Sequence, residues 1–359
     1  MRWKQRPPGS NWGDFGPDDQ LGRANLIGPE QVRKGAQEVR EGRSFCLSLP
    51  LDLPGGNALN ARRHPPRLSP TRNGDRPYLN FPLGHVYAGA TDVISDDQVL
   101  LSLQYSTQWD SLAHVGSLFD TEGDGQLRIT YYNGYQGNEH VLGPVDHGLP
   151  ERDALGAPSP YRPVCCAGRP ADASVARALG VQNPARKGMQ GRAVLVDLVR
   201  VFGTDFQDIG YEQLMQAMKQ CHATVEPGDM LLLRTGFAEL VLSMQGQPDA
   251  ERLHHSCAAL DGGDPRLLQW LTDSGIAALI ADNYAVERRR VPQDGTPYPV
   301  VPLHEHCLFK LGLPLGELWY LEELADALHA LGRTRFLLTA PPLRLPGAVG
   351  SPVTPIATI

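Results

Sequence analysis

Residues Gln104 to Gly116, QYSTQWDSLAHVG, organise the reading of the whole chain. They continue a run, Val99-Leu100-Leu101-Ser102-Leu103-Gln104-Tyr105, in which Val99, Leu101, Leu103 and Tyr105 recur at a period of two. That period predicts a half-buried strand. Continued through Asp110, the extended conformation aligns Gln104, Ser106, Gln108 and Asp110 on the opposite face, neighbours about 7 Å apart. His114 follows four residues later, where a turn returns its imidazole over the same spot. Amide oxygens, a carboxylate and an imidazole suit a divalent cation, with His114 free to ligate or to move protons. The plainer alternative is a strand end whose polar face meets water while Trp109 packs in the core.

Composition sets the frame. The chain has 359 residues, 41% hydrophobic and 20% charged, which is ordinary for a globular protein and long enough for one large core or two smaller ones. No apolar run approaches the ~20 residues of a membrane helix, and MRWKQRPPGSNWGDFG lacks the apolar middle of a signal peptide. Six cysteines (Cys46, Cys165, Cys166, Cys221, Cys257, Cys307) show no Cys-x-x-Cys spacing, so they are expected to be reduced in a cytoplasmic protein. A net charge of −7 without a Lys/Arg cluster argues against nucleic acid or an anionic membrane as partner. No Gly-x-Ser-x-Gly elbow, Gly-x-Gly-x-x-Gly turn, Walker lysine loop or His-Glu-x-x-His helix occurs.

Thr107-Gln108-Trp109-Asp110 with His114 resembles the signature of the cyclase family, metal-dependent hydrolases that include bacterial kynurenine formamidase, isatin hydrolase and trans-dienelactone hydrolase. The fuller family pattern, His-x-Gly-Thr-His-x-Asp-x-Pro-x-His, falls here on Gln104, Ser106, Thr107, Gln108, Asp110, Leu112 and His114. The resemblance implies Gln104, Gln108 and Asp110 as metal ligands and His114 as acid–base residue, with glutamines replacing two ligand histidines. A Gln-Trp-Asp version is typical of the family's longer members. Ser10-Asn11-Trp12-Gly13, Tyr132-Asn133-Gly134, Pro227-Gly228-Asp229, Asp282-Asn283-Tyr284-Ala285-Val286-Glu287 and Gly350-Ser351-Pro352-Val353 extend the likeness over nearly the whole chain.

The family also implies a distal His, followed about a helical segment later by Glu or Gln. His255 and Gln269 are the expected distal ligands, and Trp109 and Tyr132 the expected pocket lining. Amide oxygens in place of imidazoles shift the preferred ion from Zn²⁺ toward Mn²⁺, with Mg²⁺ a further option. The implied activity is hydrolysis of a small amide, lactone, cyclic imide or formamide, arylformamidase-like, in aromatic catabolism, by a homodimer or homotetramer. The alternative is an inactive member of the same fold that binds a small ligand.

Periodicity places the elements. Pro29 to Gly42 reads as a helix and Phe45 to Leu53 as a strand with one buried face. Residues 54–80, rich in Pro, Gly, Asn and Arg around Arg62-Arg63-His64-Pro65-Pro66, form a covering loop or an arm to another subunit. The acidic loop from Asp120 is no EF-hand, because its twelfth position is Tyr131. Strands at Ala193–Val199, Met230–Leu233, Ile276–Ala281 and Arg335–Leu338 alternate with helices from Tyr211, Asp264 and Leu321. His304-Glu305-His306, which could chelate on a strand, is expected instead to open a helix; Asp197 is expected to be a structural carboxylate, as are Asp282 and Glu287, for which the alternative is the pocket floor. The class is α/β, the swivelling β/β/α domain of the cyclase and kynurenine formamidase type, as a single domain over 1–359 with an N-terminal segment 1–28.

Overall fold

The computed structural model describes residues 1–143, 174–290 and 297–359. Nine strands make one mixed sheet: β1 Ser44–Cys46, β2 Gln108–Asp110, β3 Gln190–Asp197, β4 Met230–Arg234, β5 Ala278–Ala281, β6 Leu315–Glu317, β7 Arg335–Thr339, β8 Gly350–Pro352 and β9 Ile356–Thr358. Their order is β1-β9-β7-β3-β4-β5-β6-β2-β8. Strands β3 to β6 are parallel, and the flanking pairs are antiparallel. β8 and β9 are three residues apart in the chain yet lie at opposite ends of this order, so the sheet curls until its ends approach. Val353 N–H donates to Thr107 O, and Leu47 N–H to Pro355 O, on either side of that crossing.

The central strands are apolar on both faces, as a covered parallel sheet requires. Val194, Val196, Leu231, Leu233, Leu279 and Ala281 enter one core. Their alternates Ala193, Leu195, Met230, Leu232, Ala278 and Ile280 enter another. Helices α1 Pro29–Gln37, α2 Tyr211–Gln220, α3 Pro265–Ser274 and α4 Glu322–Ala330 cover the sheet, α2 and α3 on the first face and α4 on the second. Helix α3 begins as expected: the Asp264 carboxylate accepts from Arg266 N–H, Pro265 takes the first position, and Gly275 ends the helix in the left-handed region at φ 67°.

Three local readings are corrected. The strand expected through Val99 to Tyr105 is broken: Asp97–Leu100 pairs with Arg67–Pro70 in a surface hairpin, leaving Val99 47% and Leu100 72% exposed. A turn closed by Tyr105 N–H to Ser102 O then separates it from β2, because the pairing partner of the run is the 54–80 excursion and not the sheet. The first helix stops at Gln37, and of the expected strand Phe45 to Leu53 only β1 pairs regularly, with Leu51 exposed. In the acidic loop Asp120 accepts from the N–H groups of Gly123 and Gly125, so its carboxylate is used by the loop's own backbone. Cys165 and Cys166 lie outside the described residues. No helix among the described residues is long and apolar enough to cross a membrane.

One buried ion pair ties the sheet to the loop before β4. Arg192 on β3 reaches Asp229 through Nε–Oδ1 at 2.8 Å and Nη2–Oδ2 at 3.0 Å, with side chains 6% and 1% exposed. Asp229→Ala removes the buried partner of the guanidinium and leaves it only Glu226, 2.9 Å away and 43% exposed, so it is expected to lower unfolding free energy by about 3 kcal/mol, read as a shifted urea midpoint. Glu212→Ala, which breaks an exposed pair with Arg266, should cost less than about 1 kcal/mol.

Candidate metal centre

Antiparallel register brings the polar residues together. On β2, Asp110 lies opposite Leu315 of β6 and Gly350 of β8, while Gln108 lies opposite Glu317 and Pro352. The period of two turns Gln108 and Asp110 to one face and Trp109 to the other. Gln108 Nε2 donates to Glu317 Oε2 at 2.9 Å. Gln104 lays its side-chain amide where a Cβ on Gly350 would stand, so glycine there makes room over the strand neighbour of Asp110. Thr107 faces away and bridges Leu49 N–H to the carbonyl of Leu318.

His304 comes from the short helix Pro302–His304, which runs on as a π-helical turn, Glu305–Leu311. Its orientation is set by Glu287, which accepts from Leu303 N–H at 2.8 Å, His304 N–H at 2.7 Å and His304 Nδ1 at 2.8 Å. That leaves Nε2 facing Glu317 Oε1 at 3.1 Å and Asp110 Oδ2 at 3.8 Å. Ligand atoms of Asp110, His304 and Glu317 all lie within 4.8 Å of one another, and all three residues are buried. His114 is held by a turn, its N–H on Ser111 O, with Nε2 3.7 Å from Asp110 Oδ1 and the side chain 22% exposed.

The electrostatics describe a centre short of cationic charge. Burial, reinforced by the neighbouring negative charge of Glu317, pushes the Asp110 carboxyl well above its ordinary range. Burial alone would depress His304, but hydrogen bonds to Glu287 and Glu317 raise it to about 10. Glu317, which burial alone would raise, is held below its ordinary value by contact with His304. His114 is pushed down to about 4 by burial and the charge of His304, so it is a neutral base near pH 7. Both Asp110 oxygens and Gln108 Oε1 are buried without a hydrogen-bond donor. Orphaned acceptors of this kind are costly unless a cation or donor meets them. Two carboxylates, one imidazole and an amide oxygen are a fitting donor set for a divalent ion.

The expected residues divide. Gln104, Gln108, Asp110 and His114 gather at or beside this centre, whereas His255 and Gln269 do not. His255 is exposed, with Nδ1 on Glu251 O and its ring 5.9 Å from Phe206. Gln269 is bonded to Asp273 on the outer side of α3. Trp109 is in the opposite core, donating to Ala340 O and stacked edge-on with Trp319. Tyr132 is fully buried in the first core instead of lining an open pocket. His304 and Glu317 were not among the expected ligands, although a His and a Glu thirteen residues apart, with a helical segment between, fit the distal pattern that the family resemblance implied.

The chain belongs to the cyclase family, whose model, described as "Putative cyclase", matches residues 47–288. A crystal structure of a novel cyclase is 29% identical over 99% of this chain and 100% of its own, with a TM-score of 0.71. Isatin hydrolase A from Labrenzia aggregata, bound to benzyl benzoate, shares the fold at 13% identity, covering 88% of this chain and 93% of its own, with a TM-score of 0.51. An isatin hydrolase bound to the product analogue thioisatinate shares it at 12% identity, 90% and 94% coverage and a TM-score of 0.50. Comparison with curated proteins gave no match.

Glu287 bonds the imidazole whose other nitrogen faces Glu317 and Asp110, and an anionic acceptor so placed fixes ring orientation and raises basicity toward any ion bound there. Glu287→Gln is expected to weaken Mn²⁺ binding about 10–100-fold, read by titration calorimetry, with the melting temperature reporting whether the fold is kept.

Proposed function

We propose that the protein is a metal-dependent hydrolase that cleaves a C–N or C–O bond in a small amide, lactone, cyclic imide or formamide. The observation that carries this reading is the donor-free pair of oxygens on Asp110, buried between His304 and Glu317 and overlooked by His114. Asp110, His304, Glu317 and the Gln108 amide oxygen are the proposed ligands. Oxygen donors outnumber nitrogen, which favours Mn²⁺ or Mg²⁺ over Zn²⁺. When bound, the ion supplies Lewis acidity toward a carbonyl oxygen and acidifies water.

The chain's own residues supply the remainder. Glu287 holds the His304 ring by Nδ1 and leaves Nε2 for ligation. Neutral His114 accepts a proton from the attacking water at Nε2 and returns it to the departing nitrogen or oxygen, so protons balance over one turnover. The side chain's partial exposure gives that proton a route to substrate.

His114→Asn is expected to keep metal stoichiometry and melting temperature while lowering kcat about 10²–10⁴-fold. Asp110→Asn should instead lose the ion, as elemental analysis would read. The substrates for this comparison come from a screen of N-formylkynurenine, isatin, dienelactones and hydantoin-like imides with Mn²⁺. Stoichiometric Mn²⁺ without turnover of any of them would favour the binding-only alternative.

We also infer a homodimer or homotetramer. The 67–100 excursion extends as small hairpins that leave Leu68, Tyr87, Val93 and Leu100 more than half exposed, an apolar surface suited to a second copy of the chain. Light scattering should give two or four chain masses; a single chain mass would refute the inference.

A further inference from the structure

Arg63 stands at the centre of the 54–80 stretch, and the hydrolytic scheme above leaves it without a role. Its Nη1 donates to Gln104 O at 2.7 Å, and its guanidinium lies 5.7 Å from the Tyr284 ring centroid. Gln104 in turn covers Gly350, the strand neighbour of Asp110, so the guanidinium sits at the rim of the carboxylate-rich centre.

The loop that carries Arg63 is anchored. Leu59 is buried with Leu49, Phe237 and Leu318, Tyr105 Oη donates to Gly56 O at 2.8 Å, and Asn60 Nδ2 donates to Tyr284 Oη at 2.9 Å. A guanidinium held this way is preorganised for a ligand. Among the described residues no carboxylate lies within ion-pair distance of Arg63, and its Nε–Nη2 edge carries no hydrogen bond. That edge is the one whose two parallel N–H groups match a carboxylate. A half-buried cation without a counter-ion bears a desolvation cost that an anionic ligand removes.

We propose that Arg63 binds a carboxylate carried by the substrate away from the bond that is cleaved, which makes the substrates small anionic amides, imides or lactones. The inference rests on the metal-centre reading above. Contact with the oxyanion that develops at the cleaved carbonyl would be a different role, and it would serve charged and neutral substrates alike.

The test uses the full chain loaded with Mn²⁺ and the monohydroxamates of succinic, glutaric and adipic acids, beside alkyl hydroxamates of equal length that end in methyl. The hydroxamate end ligates the metal and the other end probes for Arg63. Calorimetry on the wild type is expected to show at least one chain length at which the carboxylate improves Kd about 10-fold or more. In Arg63→Met, which keeps length without charge, that advantage disappears while the neutral probes bind as before. Arg63→Lys should recover part of it, since charge returns without the fork. Melting temperatures establish that each variant is folded. An advantage that survives Arg63→Met, or no advantage at any length in the wild type, overturns the role of Arg63 and leaves the metal centre standing. Failure of every hydroxamate to bind the wild type would overturn the metal-centre reading, and this inference with it.

Discussion

Everything at the candidate site depends on how Glu287 grips His304. One carboxylate takes two backbone N–H groups and the imidazole Nδ1 of the same short helix, all within 2.8 Å. The ring therefore has a single orientation, with its second nitrogen directed at two further buried acids. Packing three carboxylates, those of Asp110, Glu287 and Glu317, around one imidazole would be ruinous in a dry interior without compensation. The raised proton affinity of His304 is the compensation available to the protein alone. A divalent cation supplies the same positive charge more directly, and the donor-free oxygens of Asp110 mark where it is needed.

Much of the architecture was legible because its signals are local. The β3, β4 and β5 segments are short apolar runs bounded by turn residues, and α3 carries its cap, its proline and its terminating glycine within twelve residues, Asp264 through Gly275. The arm was harder: Val99 and Leu100 have the alternation of a core strand but pair with a surface partner that periodicity does not name. Half of the site was equally legible, since Gln108, Asp110 and His114 sit on one strand and the turn that follows it. The distal half was not. His304 and Glu317 meet Asp110 across about two hundred residues, through the antiparallel register of β2 against β6, and no local pattern reports a register between distant strands. Gln269 and His255 were the expected pair, but Gln269 lies on the outer side of α3 and His255 at the exposed end of the short helix Ala250–His254.

The two faces of β2 show why a single strand can serve both stability and chemistry. Trp109 locks into a T-shaped pair with Trp319, whose indole N–H returns to Gln108 O, so the strand is clamped from the side opposite its polar residues. Rigidity on the apolar face holds Gln108 and Asp110 in fixed positions beside Glu317.

The curling of the sheet brings segments that are distant in the chain to one edge. Asp110 is flanked by Leu315 on one side and Gly350 on the other, and Val353 N–H bonds Thr107 O, so the strand bearing the proposed ligands is held between two segments that lie about two hundred residues or more further along the chain. A divalent ion bound there would join one strand to two segments distant from it in the chain, so its removal would loosen the rim of the sheet as well as empty the site.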